Sequence, residues 1–214
     1  MTRPPLRPTR QALARLNRAD PPLGAALRQH GPYPGFPSPA DKRGMTHFAA
    51  LGRSILYQQL ATAAARTIHG RVCALGQAGR FPTAPQLLAL SDKQLAKAGV
   101  SGPKRLALRD LSERAEDGRL KLRSIGRCSD QEIIDRLVTV RGIGVWSAQM
   151  FLMFRLGRLD VMPTGDLGIQ EGLRRLESLD ERPTPKEVLA RSECWAPLRS
   201  VAAWTLWRVA DEGR

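Results

Sequence analysis

Cysteine is scarce and badly placed for pairing: Cys73, Cys128 and Cys194 are odd in number and far apart. That argues against a disulfide framework, suits a reducing compartment, and excludes zinc or iron–sulfur motifs built from closely spaced cysteines. Histidine is equally sparse, and His30, His47 and His69 have no ligand-like spacing. No apolar run reaches the length of a membrane span and the first residues hold no apolar signal core, so a cytoplasmic protein is expected, nucleoid-associated in a bacterium. The alternation of a half-buried strand is missing as well; Val161-Met162 is too short to count.

Acid is outnumbered. There are 34 Lys and Arg against 20 Asp and Glu, a net charge of +14. Such an excess calls for a polyanionic partner, nucleic acid first. Structured RNA is compatible with the charge, but no aromatic RNA-binding motif is present. The chain has 214 residues and 42% of them are hydrophobic, enough for a packed core.

Residues 1–10 carry three Arg, three Pro and no acid, and read as a mobile basic arm. The proline-rich run Gly31-Pro-Tyr-Pro-Gly-Phe-Pro-Ser-Pro is a loop. Helix starts then recur as capping boxes at Thr83…Gln86, Ser91…Gln94, Ser129…Glu132 and Thr184…Glu187. The apolar spacing predicts helices near 46–77, 84–90, 92–98, 103–118, 129–139, 143–156, 167–178, 184–191 and 197–211. The fold class is all-α.

Val140-Arg141-Gly142-Ile143-Gly144 sits between two of these helical patterns. Two glycines permit a tight turn and close approach to another molecule. The following helix starts with free N–H groups, which suit a phosphate. A helix, a Gly-x-Gly turn and a helix would grip a nucleic-acid backbone without reading sequence; the other reading is a plain turn. A dinucleotide-binding loop would need a preceding strand and a third glycine at 147, where Ser147 stands. Downstream, Asp166 precedes an apolar helical pattern. It reads as a helix N-cap, as a catalytic carboxylate, or as both, since a capping carboxylate is oriented by the same N–H groups.

Gly142-Ile-Gly144-Val-Trp-Ser-Ala with Pro163…Asp166 resembles the helix-hairpin-helix DNA glycosylases and their catalytic aspartate. Ser54-Ile-Leu-Tyr-Gln58-Gln59-Leu-Ala, Pro82-Thr-Ala-Pro-Gln-Leu-Leu, Gly102-Pro-Lys-Arg-Leu and Trp195-Ala-Pro-Leu-Arg199-Ser200 are similar to the alkylpurine branch, 3-methyladenine DNA glycosylase II. The likeness runs over residues 45–210 with motif order preserved.

The resemblance implies two helical lobes with an active cleft between them. On that basis 51–160 forms a middle lobe with the hairpin, 161–214 a C-terminal lobe, and 11–50 a helical segment packing with the latter. It implies a monofunctional glycosylase for alkylated purines in duplex DNA, with Asp166 catalytic. Trp146 stands where strand-cutting relatives have a Schiff-base lysine. Trp146 and Trp207 would contact the extruded base, although spacing alone also allows Trp146 to be a core residue; Trp204 would be packing. Met150 replaces the pocket tyrosine of some relatives, and Gln59 replaces a leucine wedge, unless it is simply an exposed polar helix residue. Gln58, Gln59, Arg141, Gly142, Ile143, Gly144 and Ser147 would contact DNA, and Arg199 would orient the acid region, unless it is simply a surface ion pair. No cofactor for catalysis is implied. A structural monovalent cation would be held by the main-chain carbonyls of Val138, Val140 and Ile143. The expected partner is duplex DNA with alkylated bases, with no membrane and no second subunit. The competing class is a lesion-binding protein without excision, against which Asp166 speaks.

Overall fold

The computed structural model describes residues 7–37 and 45–212, and it is helical throughout, with no strand among the described residues. The chain divides into two compact units, one drawn from Met1–Lys42 and Leu152–Arg214, the other from Arg43–Phe151.

The first unit begins with α1 (Arg10–Ala19) and α2 (Pro21–Gln29). Thr9 caps α1 through a 3.1 Å bond from the Ala12 N–H, so the expected basic arm gives way to helix here; its residues 1–6 lie outside the described residues. Asp20 closes α1 and caps α2, accepting the Leu23 N–H at 2.9 Å, and Pro21 then sets the first turn. The other carboxylate oxygen of Asp20 receives the indole N–H of Trp195 at 2.7 Å and the guanidinium of Arg191 at 2.5 Å. A fully buried acid is thereby paired and hydrogen-bonded, as burial of a charge demands. After the second unit come α10 (Leu167–Leu176), α11 (Pro185–Arg191), a 3₁₀ turn Ser192–Trp195 and α12 (Arg199–Asp211). Helices α10 and α12 pack together, and Leu23, Ile169, Leu173, Trp195, Val201 and Leu206 form the core.

The second unit holds α3 (His47–Tyr57), α4 (Thr62–Ala74), α5 (Ala84–Ala89), α6 (Asp92–Lys97), α7 (Gly102–Glu116), α8 (Asp130–Leu137) and α9 (Val145–Met150). Helix α7 is central, packing on α3, α5 and α6. Leu51, Ile55, Leu87, Leu95, Leu108, Leu111, Ile133 and Leu137 are buried around it. Arg109 of α7 donates to the carbonyls of Leu87 and Leu88 at 2.8 Å each, satisfying the orphan C-terminal carbonyls of α5. All four predicted capping boxes are present.

Three sequence expectations are corrected. The helix expected over 46–77 is two helices, broken between Tyr57 and Thr62, with Gln59 in the left-handed region at φ 53°. Apolar spacing runs through the break because both helices face one core, and periodicity is blind to a short turn. The helix expected over 143–156 is α9 followed by a π turn, Phe151–Leu156. The second unit spans 43–151, where a middle lobe over 51–160 was expected. Helix α3 packs as a whole on α4 and α7, which carries 47–50 with it, while the Leu159 carbonyl accepts the Ser200 N–H of α12 at 2.9 Å.

Candidate active site and nucleic-acid interface

Helix α8 ends at Val138, and the chain turns through Thr139–Gly144 into α9. Gly142 lies at φ 77°, where a side chain is strained, and a Cβ there would meet Ala107 Cβ at 3.2 Å. Gly144 is the N-cap of α9 and faces open space. The turn is braced from two sides. Asp110 of α7 accepts the Arg141 N–H at 2.7 Å while its carboxylate is held by Arg114 at 2.9 Å. Gln58 donates its amide to the Gly142 carbonyl at 2.8 Å and to Ser147 Oγ at 3.4 Å.

These contacts redistribute the expected DNA-binding set. Ile143 and Ser147 are buried, so their side chains face the unit's interior. Gln58 is spent on the hairpin, a positioning role. Arg141, Gly142 and Gly144 are exposed, as are Gln59 and Leu60 in the neighbouring turn. For the expected cation, the Val140 carbonyl already accepts one bond from the Ile143 N–H at 3.0 Å, and Val138, as a helix C-cap, belongs to the orphan carbonyls of α8. Neutral carbonyl oxygens with remaining lone pairs fit a hard monovalent cation.

Trp146 is 48% exposed, which rules out the core reading. Met150, at the end of the same helix, is half-buried. No lysine occurs in α9.

In the other unit, Asp166 is the N-cap of α10, its Oδ1 accepting the Ile169 N–H at 3.0 Å. The same oxygen receives the indole N–H of Trp207 at 2.9 Å. Trp207 stacks on Phe154 of the π turn, centroids 5.8 Å apart, and Phe154 meets Phe36 of the proline-rich loop edge-on at 4.7 Å. Gly168 makes the contact possible: a Cβ there would lie 2.9 Å from Trp207 Cδ1 and 3.1 Å from Asp166 Oδ1. The approach to Asp166 is fixed by the Pro163 carbonyl, which accepts the Asp166 N–H, and by Gln170, which donates to the Thr164 carbonyl at 3.1 Å.

Arg199 does not reach Asp166. Its guanidinium pairs with Asp160 at 3.2 Å and donates to the Ser192 carbonyl at 3.3 Å. Beside it, Ser200 Oγ accepts the Val161 N–H at 3.0 Å. Arg199 and Ser200 therefore tie the 159–161 segment to α12, and Trp207 is the residue that bonds the acid. Trp204, expected as packing, meets Tyr33 edge-on at 5.9 Å.

The family model for the HhH-GPD superfamily base excision DNA repair protein matches residues 53–197. That range takes in the hairpin and Asp166. The chain belongs to this superfamily.

It is 36% identical over 164 residues to DNA-3-methyladenine glycosylase 1 of Schizosaccharomyces pombe, covering 76% of this chain and 72% of the relative. Among solved structures, it resembles the Schizosaccharomyces pombe 3-methyladenine DNA glycosylase in complex with abasic DNA, with TM-score 0.79, 33% identity, and coverage of 92% of this chain and 95% of that one. It also resembles a DNA-3-methyladenine glycosidase from Bacillus halodurans, with TM-score 0.85, 32% identity and coverage of 98% and 94%. The superfamily member described here thus shares its fold with proteins named as 3-methyladenine DNA glycosylases.

Proposed function

We propose that this chain is a monofunctional DNA glycosylase that removes alkylated purines from duplex DNA in base excision repair. The observation that carries the reading is Asp166, a carboxylate fixed by a helix N-terminus and by the Trp207 indole. The hairpin offers exposed backbone at Gly142 and Gly144 for phosphate, without base readout. The target nucleotide is flipped out of the stack. Its base, cationic when N-alkylated, lies against aromatic faces, for which Trp146 and Trp207 are the candidates, with Met150 as a soft wall. The Asp166 carboxylate stabilises positive charge growing at the sugar C1′ and orients or deprotonates the attacking water. A cationic base leaves readily, so little acid catalysis is required. With Trp146 in place of an amine, no Schiff base forms and the product is an abasic site.

A monovalent cation at the hairpin would be held by the main-chain carbonyls of Val138, Val140 and Ile143, and would supply charge bridging protein to phosphate. Homology to enzymes named for 3-methyladenine supports this reading. The test is incubation with alkylated duplex DNA and identification of released bases by mass. 3-Methyladenine and at least one other cationic base are expected, with hypoxanthine slow, because stacking on a cation favours the former. Absence of any released base overturns the reading.

A further inference from the structure

The turn between α3 and α4 is held by a lysine from another helix. Helix α3 ends without a glycine: Gln58 is extended at φ −57° and ψ 135°, and Gln59 follows at φ 53°. Carbonyls at a helix C-terminus are orphaned and carry the negative end of the dipole. Lys104 Nζ, from the first turn of α7, donates to two carbonyls there, Leu56 at 2.7 Å and Gln58 at 2.8 Å. Burial draws the Lys104 ammonium down from its ordinary range, a cost offset by these charge-assisted bonds. Gln58, gripped at its carbonyl by Lys104, reaches with its side chain to Gly142 and Ser147 of the hairpin.

The two loops are therefore one braced body. Its exposed edge carries Gln59 and the apolar Leu60, 40% exposed, beside the exposed backbone of the hairpin. Gln59 thus keeps an exposed side chain in the left-handed region, where glycine would be unstrained. Apolar side chains pushed between base steps unstack and kink a duplex, which suits Leu60 at this edge, and a braced tip transmits that push to the stack.

We infer that Lys104 is a positioning residue for duplex opening: through the Leu56 and Gln58 carbonyls it locks the Gln59–Leu60 tip in register with the phosphate-gripping hairpin. The inference rests on the reading of this chain as a base-flipping glycosylase. It predicts a defect confined to duplex substrates, since a single strand needs no opening.

The full chain and its Lys104→Met and Lys104→Arg variants are assayed for single-turnover release of 7-methylguanine from duplex and from the same strand unpaired. In parallel, 2-aminopurine fluorescence is followed beside a tetrahydrofuran abasic analogue in duplex, and thermal melting is recorded. Lys104→Met is expected to lose about tenfold in duplex release, the loss of one good charge-assisted contact. It should also lose most of the fluorescence rise and keep its single-strand rate, with Lys104→Arg recovering most of both. Equal losses on the two substrates, or an undiminished fluorescence rise, overturn the inference. Should the wild type release no base from either DNA, the glycosylase reading fails, and fluorescence alone still decides the role of Lys104. Should Lys104→Met not fold, Lys104→Arg is read against Gln59→Gly, which relieves the left-handed strain, should melt no lower than wild type and should lose the rise, while Lys104→Arg should keep it. An intact rise in Gln59→Gly, or its loss in Lys104→Arg, overturns the inference.

Discussion

Asp166 Oδ1 takes hydrogen bonds from two sources, a helix N–H and the Trp207 indole, and these fix where its charge points. Asp166→Asn keeps the shape and removes the charge. It is expected to lower single-turnover excision by about a hundredfold or more, the scale of one preorganised electrostatic group. Binding to an abasic-analogue duplex, measured by anisotropy, should change little. Trp207→Phe keeps the stacking on Phe154 but deletes the N–H donor. A bond to a charged acceptor is worth about 1.5–3 kcal/mol, so excision should slow by about tenfold or more, and the melting temperature should fall by about 3–12 °C because the same bond is lost from the fold. An unchanged rate would mean the indole only packs. Trp146 makes the third residue-scale prediction. Borohydride added during turnover should trap no protein–DNA adduct, whereas a strong covalent band on a denaturing gel would place a nucleophilic amine at the site.

At the scale of elements, the hairpin is a turn whose two glycines differ in kind. Gly142 needs its left-handed backbone and sits close to Ala107, so a side chain there disturbs the fold. Gly144 is the N-cap of α9 with open space around it. An aspartate at an N-cap is favourable for the helix. Gly144→Asp should therefore hold or raise stability while placing negative charge where phosphate would sit. We expect damaged and undamaged duplexes to lose affinity alike, by about 1 kcal/mol, or roughly fivefold, at low salt. Titrations in which both duplexes bind as to wild type would remove the hairpin from the phosphate contact. The π turn after α9 is the other element with a consequence. It interrupts the spacing Trp146, Met150, Phe154 that reads as one helix face: Trp146 is exposed, while Phe154 stacks on Trp207.

Across the whole molecule, charge is concentrated as well as unbalanced. Glu171 of α10, its side chain 10% exposed, accepts from Arg174 at 2.9 Å, from Arg175 at 2.9 Å and from Arg182 at 2.9 Å. Hydrogen bonds from Arg174, then Arg182 and Arg175, hold its carboxyl well below the ordinary value of 4.5. The folded state thus favours the charged form, and the stability this adds is present above the ordinary value and lost as pH falls below it. Thermal melts of wild type and Glu171→Gln should differ most at neutral pH and converge on acidification below 4.5. A gap that stays constant to pH 3 or so would show that the carboxylate charge is not what the cluster uses.

Local chemistry was enough to place four helix starts: four Ser or Thr residues with Glu or Gln three positions on announced them, because a capping box is completed within one turn. The Gly-x-Gly turn, the N-cap at Asp166 and the net charge were legible for the same reason, as properties of residues or of short spacings. Long-range partners were not. Nothing near Asp166 in sequence names Trp207, 41 positions away, as its donor. Arg199 looked suited to the acid but pairs with Asp160, since which carboxylate a guanidinium meets depends on how α12 packs. Gln58 looked like a DNA contact and is a brace for the hairpin, 84 positions on. Lys104 lies in the Gly102-Pro-Lys-Arg-Leu stretch that resembles the family, but its task was not legible, because it satisfies helix-end carbonyls that only the packing of α7 beside the α3 terminus brings within reach. Sequence determined the elements and the chemical groups available, which follow from short-range sterics and periodicity. The tertiary structure decided which groups are spent on holding the fold and which are left to meet the substrate, because burial and hydrogen-bond pairing exist only once distant helices are packed.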